Sequence, residues 1–252
     1  MIQVIGHRGA PHLAPENTIE SFHAVRRVGA DGVELDVRRA ADGSLAVHHD
    51  AHLGDGRAVV GLSRAELPAE VPDLAAALDA CAGLDVINVE IKNWPDDVDF
   101  DPSLGHVDRV VEVLSALGAE ARAHILVSGF HLPSMDRVRE IAPELATAWL
   151  VLGPGADGRT PDGVDPVAAM VAEVADRGHR ALHPHHAFVT DELVAAAHDR
   201  GVAVNTWTCD DLDRIRWLAE VGVDAVVTNV PDVALAALGR APASPAASDR
   251  LP

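Results

Sequence analysis

Short runs of β-branched residues alternate with stretches of helical periodicity from one end of this 252-residue chain to the other. This alternation is typical of repeated βα units, in which helices connect the strands of a parallel sheet. We therefore predict a single α/β domain, a TIM-type (β/α)8 barrel, over residues 1–239. The predicted strands are 2–6, 31–37, 44–49, 86–91, 123–128, 146–151, 180–183, 202–207 and 224–228. The predicted helices are 18–28, 73–82, 105–118, 132–141, 166–177, 190–199, 210–221 and 231–238.

Nine strands are one more than such a barrel holds. The second and third predicted strands are joined by too few residues for a parallel crossover, so one of them is predicted to be a hairpin arm. Asp42-Gly43 between them is a strong signal for a two-residue hairpin loop. With that loop, Asp36 faces His49 across the pair, and His48 points to the opposite face of the sheet.

Three segments are predicted to lie outside the regular βα pattern. A small insertion at about 51–72 follows the early hairpin. Residues 153–166 are dense in glycine, proline and aspartate, which is typical of a surface loop. The Pro/Ala/Ser-rich end, 240–252, is predicted to be a disordered tail.

The chain carries a formal charge of −19. Such a charge repels the phosphates of nucleic acid, so we expect no nucleic-acid partner. A phosphorylated small molecule needs local positive charge from a metal, an arginine or a lysine. The first residues lack the pattern of a secretory signal and no apolar run is long enough for a bilayer, so we expect a cytoplasmic protein without stable membrane insertion.

Carboxylates recur on one face of two predicted strands. Glu34 and Asp36 lie two residues apart on the second strand, and Glu90 precedes Lys92 in the same way on a later one. Charged side chains facing into a barrel are costly unless they bind a metal or form pairs, although an exposed edge strand would also accept them. Three carboxylates suit Mg²⁺ or Ca²⁺ better than Zn²⁺. Lys92 is the only lysine among 20 basic residues, which favours a functional role such as contact with phosphate.

His7 and Arg8 directly follow the first strand, where a barrel places its catalytic groups. Histidine exchanges protons near neutral pH, and arginine binds phosphate through two hydrogen bonds. Taken alone, this short pattern is equally well explained by chance. The polar segment 15–18 then leads into the N-terminus of the first helix, which favours anions.

Taken in order, these segments resemble the glycerophosphodiester phosphodiesterase family. The resemblance covers residues 5 to 232, and the ordered set is far more specific than any single motif. The matching segments are His7-Arg8-Gly9, Pro15-Glu16-Asn17-Thr18, Glu34-Leu35-Asp36, His49-Asp50, Glu90-Ile91-Lys92, Asn205-Thr206-Trp207-Thr208, Gly222-Val223-Asp224 and Thr228-Asn229-x-Pro231-Asp232.

The resemblance implies a PLC-like phosphodiesterase barrel that hydrolyses glycerophosphodiesters to sn-glycerol 3-phosphate and an alcohol. It implies that Mg²⁺ or Ca²⁺ is bound by three carboxylates and that two histidines exchange protons with the attacking and leaving oxygens. Its substrate is a small-molecule glycerophosphodiester, and the oligomeric state stays open. The implied residues are Glu34, Asp36 and Glu90 for the metal, His7 and His49 for catalysis, Arg8 and Lys92 for phosphate, and Glu16, Asn17 and Trp207 for the substrate.

Several alternatives stay open. Many family members carry an Arg-Thr pair after the His-Asp motif, whereas this chain has Ala51-His52 there, so the head group is not predicted. The same barrel type includes lysophospholipase D and phosphoinositide-cleaving enzymes, and a barrel that binds phosphodiesters without turnover is a further alternative. Attack by the glycerol 2-hydroxyl through a cyclic phosphate is preferred over direct attack by water. A core position for Trp207 is as compatible with the sequence as a place at the mouth.

Other polar or aromatic groups are interpreted more simply. The histidines of segment 183–186 resemble metal ligands, but metal-dependent amidohydrolase barrels carry their His-x-His motif at the first strand, where this chain has His7-Arg8-Gly9. The acidic run from Asp96 to Asp101 is predicted to be solvated, although it follows Lys92 closely. Trp94, Trp149 and Trp217 are predicted to be packing residues.

Overall fold

The computed structural model describes residues 1–155 and 165–240. Within these residues, eight parallel strands close into a barrel, because β1 pairs with both β9 and β2. The ninth strand, β3, pairs antiparallel with β2 outside the ring. The barrel and the hairpin arm predicted from the sequence are therefore confirmed. The strands are β1 (Gln3–Gly6), β2 (Gly32–Arg39), β3 (Leu45–Val47), β4 (Val86–Ile91), β5 (Ile125–Gly129), β6 (Ala146–Val151), β7 (Ala181–Pro184), β8 (Ala203–Thr206) and β9 (Ala225–Thr228).

Helices connect successive parallel strands and cover the outside of the barrel. Several begin at a side chain that accepts a hydrogen bond from the first turn, as Thr18 does from the Ser21 amide and Asp211 from the Arg214 amide. The α-helices are α1 (Ile19–Val28), α2 (Leu74–Cys81), α3 (Gly105–Ser115), α4 (Ala119–Arg122), α5 (Leu132–Ile141), α6 (Pro166–Asp176), α7 (Asp191–Asp199), α8 (Leu212–Glu220) and α9 (Pro231–Ala237). Short 3-10 helices occur at Val59–Gly61 and His186–Phe188.

The hairpin register predicted from Asp42-Gly43 is wrong by one residue. The ladder pairs Val37 with Val47, and the Ala40 amide donates to the Ser44 carbonyl, so the loop has three residues rather than two. Gly43 adopts a left-handed φ of 80°, which is the conformation that a three-residue hairpin loop uses at its last position.

The corrected register changes which histidine lies opposite Asp36. The His48 amide donates to the Asp36 carbonyl, so His48 and not His49 continues the ladder. Regular strand structure ends at Val47, and side-chain alternation therefore no longer dictates where His49 points.

The main apolar core lies between the barrel and its helices and includes Phe22, Leu35, Leu114 and Ile215. A second, separate cluster packs under the segment 51–72, where Leu53, Val59 and Leu67 meet Ala46 of β3. The predicted insertion thus has its own small core.

Two predicted segments fall partly or wholly outside the described residues. They are the loop 153–166, of which 156–164 are not described, and the tail, of which only Arg240 is. In the described part of the chain, no helix has the length and apolar character required to cross a bilayer.

Candidate active site

Strand pairing brings three carboxylates together at the carboxyl end of the barrel. Glu34 and Asp36 point to the same face of β2, and the β2–β4 register places Asp36 beside Glu90. The three residues are buried, and one oxygen from each lies within 4.8 Å of the others. Among the described residues, this is the only group of three metal-ligating side chains so close together.

Two cationic side chains lie against these carboxylates. The Lys92 Nζ atom is 2.8 Å from Glu90 Oε1 and 3.3 Å from Asp36 Oδ1. The Arg8 Nε atom is 3.4 Å from Asp36 Oδ2, and the Arg8 amide donates to Glu34 Oε2. The two residues predicted to bind phosphate thus lie beside the three carboxylates predicted to bind the metal.

The two cations leave one of the three carboxylates without a full countercharge. Burial opposes ionisation of Asp36, yet Lys92, His49 and Arg8 together hold its pKa below the ordinary value. Burial raises the pKa of Glu34 well above its usual range, and the charges of Asp36 and Glu90 raise it further. Among the described residues, Glu34 Oε1 has no hydrogen-bond partner. Glu34 is therefore the carboxylate whose ionised form is least compensated by its neighbours.

The turn after β1 is shaped by left-handed backbone. Arg8 has a φ of 54° and Gly9 a φ of 97°, and within this turn the Arg8 amide donates to Glu34 Oε2. A Cβ atom at Gly9 would overlap the side chain of Ser21, whose hydroxyl accepts a hydrogen bond from the Ala10 amide. Glycine is required here both for the backbone conformation and for the space.

Asn17 occupies a position that the sequence did not suggest. It is 4% exposed, its Nδ2 atom donates to Asp36 Oδ2, and its Oδ1 atom accepts from the Asp36 amide. The geometry thus gives Asn17 the task of orienting a carboxylate, while its predicted contact with substrate stays a prediction. Glu16, which is exposed, pairs with the Arg8 guanidinium at 3.0 Å.

His7 is held by a polar chain that begins at β9. Its Nδ1 atom lies 2.7 Å from Asn229 Oδ1, and Asn229 Nδ2 donates to Asp210 Oδ2 at 2.7 Å. Because a carboxylate only accepts, the amide of Asn229 must turn its oxygen toward His7. His7 Nδ1 then carries the hydrogen, and in the neutral ring Nε2 is left as a proton acceptor. Burial, reinforced by Arg8, lowers the pKa of His7.

His49 lies at the rim with a different partner. Its Nδ1 atom is 2.7 Å from Asp50 Oδ1, and its side chain is about one-third exposed. It lines a cavity of about 250 Å³ together with Glu90, Lys92 and Trp94. The prediction that His49 rather than His48 reaches this site therefore agrees with the cavity lining, although the hairpin register that suggested it was wrong.

Aromatic rings form a row along one side of the rim. Phe130 makes edge contacts with Trp94 and Trp207, at ring-centroid distances of 5.4 and 5.3 Å. The Trp207 indole donates to the His183 carbonyl, and the ring is partly buried. Trp94, predicted to be a packing residue, is 41% exposed and lines the cavity instead.

Sequence reasoning missed three polar residues at this rim, Asn229, Asp210 and Arg38. Asn229 lies within one of the segments that carry the family resemblance, and that segment is the sequence signal from which its role could have been predicted. The prediction that the acidic run after Lys92 is solvated is wrong for Asp99, which is 2% exposed and accepts hydrogen bonds from Arg38.

A parallel barrel that gathers these carboxylates, cations and histidines at the carboxyl ends of its strands defines a barrel enzyme. The model of the Glycerophosphoryl diester phosphodiesterase family matches residues 7–233. The chain is 28% identical over 248 residues to a glycerophosphodiester phosphodiesterase of Caldanaerobacter subterraneus subsp. tengcongensis, covering 91% of this chain and 94% of that protein.

Solved structures share the same architecture. A protein from Silicibacter pomeroyi DSS-3 has a TM-score of 0.83 and 27% identity, covering 96% of this chain and 95% of that one. An Oleispira antarctica phosphodiesterase, solved with the product sn-glycerol-3-phosphate, has a TM-score of 0.78 and 24% identity, covering 94% and 96% of the two chains, which shows the shared fold. The chain belongs to the glycerophosphoryl diester phosphodiesterase family, and it is a phosphoric diester hydrolase.

Proposed function

We propose that the protein hydrolyses glycerophosphodiesters to sn-glycerol 3-phosphate and an alcohol, using a divalent cation and two histidines. The observation that carries this proposal is the buried group formed by Glu34, Asp36 and Glu90. Two cations and two histidines, His7 and His49, lie close enough to act electrostatically on its carboxylates.

The carboxylate group fits a divalent cation. Its donors are hard oxygens, which Mg²⁺ and Ca²⁺ prefer. Glu34 Oε1 is buried without a hydrogen-bond partner among the described residues, and the raised pKa of Glu34 shows that these neighbours do not compensate its ionised form. When bound, the cation draws negative charge from the phosphoryl oxygens and so lowers the barrier to nucleophilic attack.

His7 is suited to be the general base. Its Nδ1 atom is engaged by Asn229, so the neutral ring offers Nε2 to a proton. Burial lowers the pKa of His7, which keeps the ring neutral at neutral pH. His7 thus removes the proton from the attacking hydroxyl group.

His49 is suited to be the general acid. Its Nδ1 atom is bonded to the Asp50 carboxylate, which only accepts, so Nδ1 carries a hydrogen and the ring is held in one orientation. The opposite ring nitrogen then delivers a proton to the leaving alkoxide. The two histidines therefore have different tasks because one bonds a neutral amide and the other bonds a carboxylate.

The remaining residues bind the diester. Arg8 and Lys92 supply the positive charge that an acidic chain needs to hold a phosphate. Glu16 restrains the Arg8 guanidinium, while Asn17 orients Asp36. Trp207 and its aromatic neighbours provide an apolar wall for the carbon skeleton of the substrate.

We prefer a route through a cyclic phosphate. The glycerol 2-hydroxyl oxygen attacks phosphorus as His7 takes its proton, and the alcohol leaves with a proton from His49. Water then opens the cyclic ester to sn-glycerol 3-phosphate. Rapid-quench analysis that traps a cyclic glycerophosphate supports this route, and its absence at every time point favours direct attack by water.

The test is release of glycerol 3-phosphate from glycerophosphocholine and glycerophosphoethanolamine with Mg²⁺, Ca²⁺ or EDTA. We expect release that needs the cation and that His49→Ala reduces by about 10²–10⁴-fold. His48→Ala is the matched control, because it removes the adjacent histidine whose ring bonds the Asp50 carbonyl instead. No release from either diester under any condition would contradict the proposal and direct attention to lysophospholipids.

A further inference from the structure

Arg38 connects three parts of the rim although it is only 3% exposed. Its Nε atom donates to the His49 carbonyl at 2.7 Å. Its NH1 group donates to both carboxylate oxygens of Asp99 at 2.8 Å, and its NH2 group donates to Asp97 at 3.0 Å. The guanidinium therefore uses all three of its nitrogens.

The strand alternation that points the carboxylates of β2 to one face also points Arg38 to that face. Glu34, Asp36 and Arg38 lie at every second position of β2 and so point to one face. Arg38 comes last of the three and pairs with Ala46 of β3. Its guanidinium reaches the chain at His49, two residues beyond the end of β3.

The backbone at His49 lacks support from the sheet. The last ladder bond in this direction is from the His48 amide to the Asp36 carbonyl, and β3 ends at Val47. The hydrogen bond from Arg38 to the His49 carbonyl holds the backbone at this point instead. This charge-assisted hydrogen bond restricts the backbone at His49 and therefore the position of its imidazole ring.

The carboxylates that hold Arg38 come from the segment after β4. Asp97 and Asp99 lie a few residues beyond Lys92, so the guanidinium ties the Lys92 segment to the His49 segment. Replacing a buried ion pair with apolar groups is often neutral or stabilising, so stability alone explains this network poorly. A requirement for fixed geometry at the rim explains it better.

We propose that Arg38 is a positioning residue for His49, held in place by Asp97 and Asp99. This inference rests on the proposed acid role of His49. Lysine is a poor replacement, because a single ammonium cannot bond a carbonyl and two carboxylates in the fixed arrangement of a guanidinium. A displacement of the imidazole of about 1 Å is enough to lower the rate about 100-fold.

The experiment compares Arg38→Lys with wild type in kcat, in KM and in the ring signals of histidine labelled at Cε1. The His49 signal is assigned by its loss in His49→Ala. We expect kcat to fall about 10- to 100-fold, KM to change less than about 3-fold, and the His49 signal to shift or broaden while the other histidine signals stay in place.

Arg240→Lys is the matched control. Arg240 also bonds both oxygens of an aspartate, Asp31, and a backbone carbonyl, that of Ile2, but it does so where the strands begin. It should leave kcat and the His49 signal unchanged. If Arg38→Lys does not fold, Arg38→Gln with Asp99→Asn gives the same comparison without a buried unpaired charge.

The inference is overturned if kcat stays within about 2-fold of wild type and the His49 signal does not move, or if losses match those of the Arg240 control. Absence of turnover in the wild-type protein would contradict the proposed function instead. In that case the His49 signal still decides whether Arg38 positions the ring.

Discussion

The Nδ1 atom of His7 and the Oδ1 atom of Asn229 lie 2.7 Å apart, although 222 residues separate them in the chain. Barrel closure produces this contact, because β1 and β9 are neighbours in the ring. Asp210 fixes the orientation of the Asn229 amide, which in turn fixes the tautomer of His7. The three residues form one hydrogen-bonded group where β9 pairs with β1 and closes the barrel.

Asn229→Ala should lower kcat by about 10- to 100-fold, because His7 loses the bond that defines its tautomer. The hydrogen bond that His7 donates to Asn229 raises the pKa of His7, so its loss lowers that pKa further. A general base must be neutral, and the acid limb of the pH–rate profile should therefore move to lower pH. A rate loss with an acid limb that moves to higher pH would contradict this role for Asn229.

Glu34→Gln should stabilise the protein in EDTA at neutral pH. The folded pKa of Glu34 is raised, so its contribution to stability is present at low pH and is lost as pH rises toward the folded value. Thermal unfolding in EDTA at pH 5 and pH 8 measures this. A wild-type protein that is equally or more stable than the variant at pH 8 would be evidence against the uncompensated charge.

Mg²⁺ or Ca²⁺ should raise the unfolding temperature of the wild-type protein. A cation at about 100 times its Kd stabilises by about 2.7 kcal/mol, which corresponds to roughly 5–10 °C for a domain of this size. Glu34→Gln should lose most of this increase. Asp55→Asn, a change at an exposed aspartate in the insertion, is the control. An equal increase in unfolding temperature for both variants would show that the cation binds elsewhere.

Stability should fall as pH decreases from about 6.5 to about 4, in part because of His106. Burial lowers the pKa of His106 to about 4, so the unfolded chain binds a proton in this range and the folded chain does not. At about 1.4 kcal/mol per pKa unit, the loss amounts to a few kcal/mol. Urea unfolding of His106→Leu should depend less on pH than wild type, with exposed His23→Gln as control. Identical pH dependence in wild type and His106→Leu would be inconsistent with this assignment.

Gly9→Ala should destabilise the protein by about 2–5 kcal/mol, because alanine resists the left-handed backbone and its Cβ overlaps Ser21. Gly43→Ala is a matched control: its φ is also positive, but a Cβ there meets nothing within 4 Å. Its cost should be about 1–2 kcal/mol. Equal midpoints in urea for the two variants would disprove the crowding at Gly9.

Much of the architecture was predictable from local patterns. Hydrophobic periodicity and helix-start residues located the eight barrel strands and the hairpin arm, because these features depend on a residue and its near neighbours. The spacing of Glu34, Asp36, Glu90 and Lys92 was equally informative, since alternation along a strand places such residues on one face. The length of the hairpin loop was not predictable, because Asp-Gly suits both two- and three-residue loops and the cross-strand pairing selects between them.

The sequence by itself determined the order of the βα units and the residues that line the inner face of β2 and β4. Tertiary structure decided which distant polar groups meet: Asn229 with His7, Asn17 with Asp36, and Asp99 with Arg38. Closure of the barrel and the path of the loops set these contacts. Burial then gives these contacts a large effect on free energy, because a buried polar group must find a hydrogen-bond partner among the side chains that the fold brings to it.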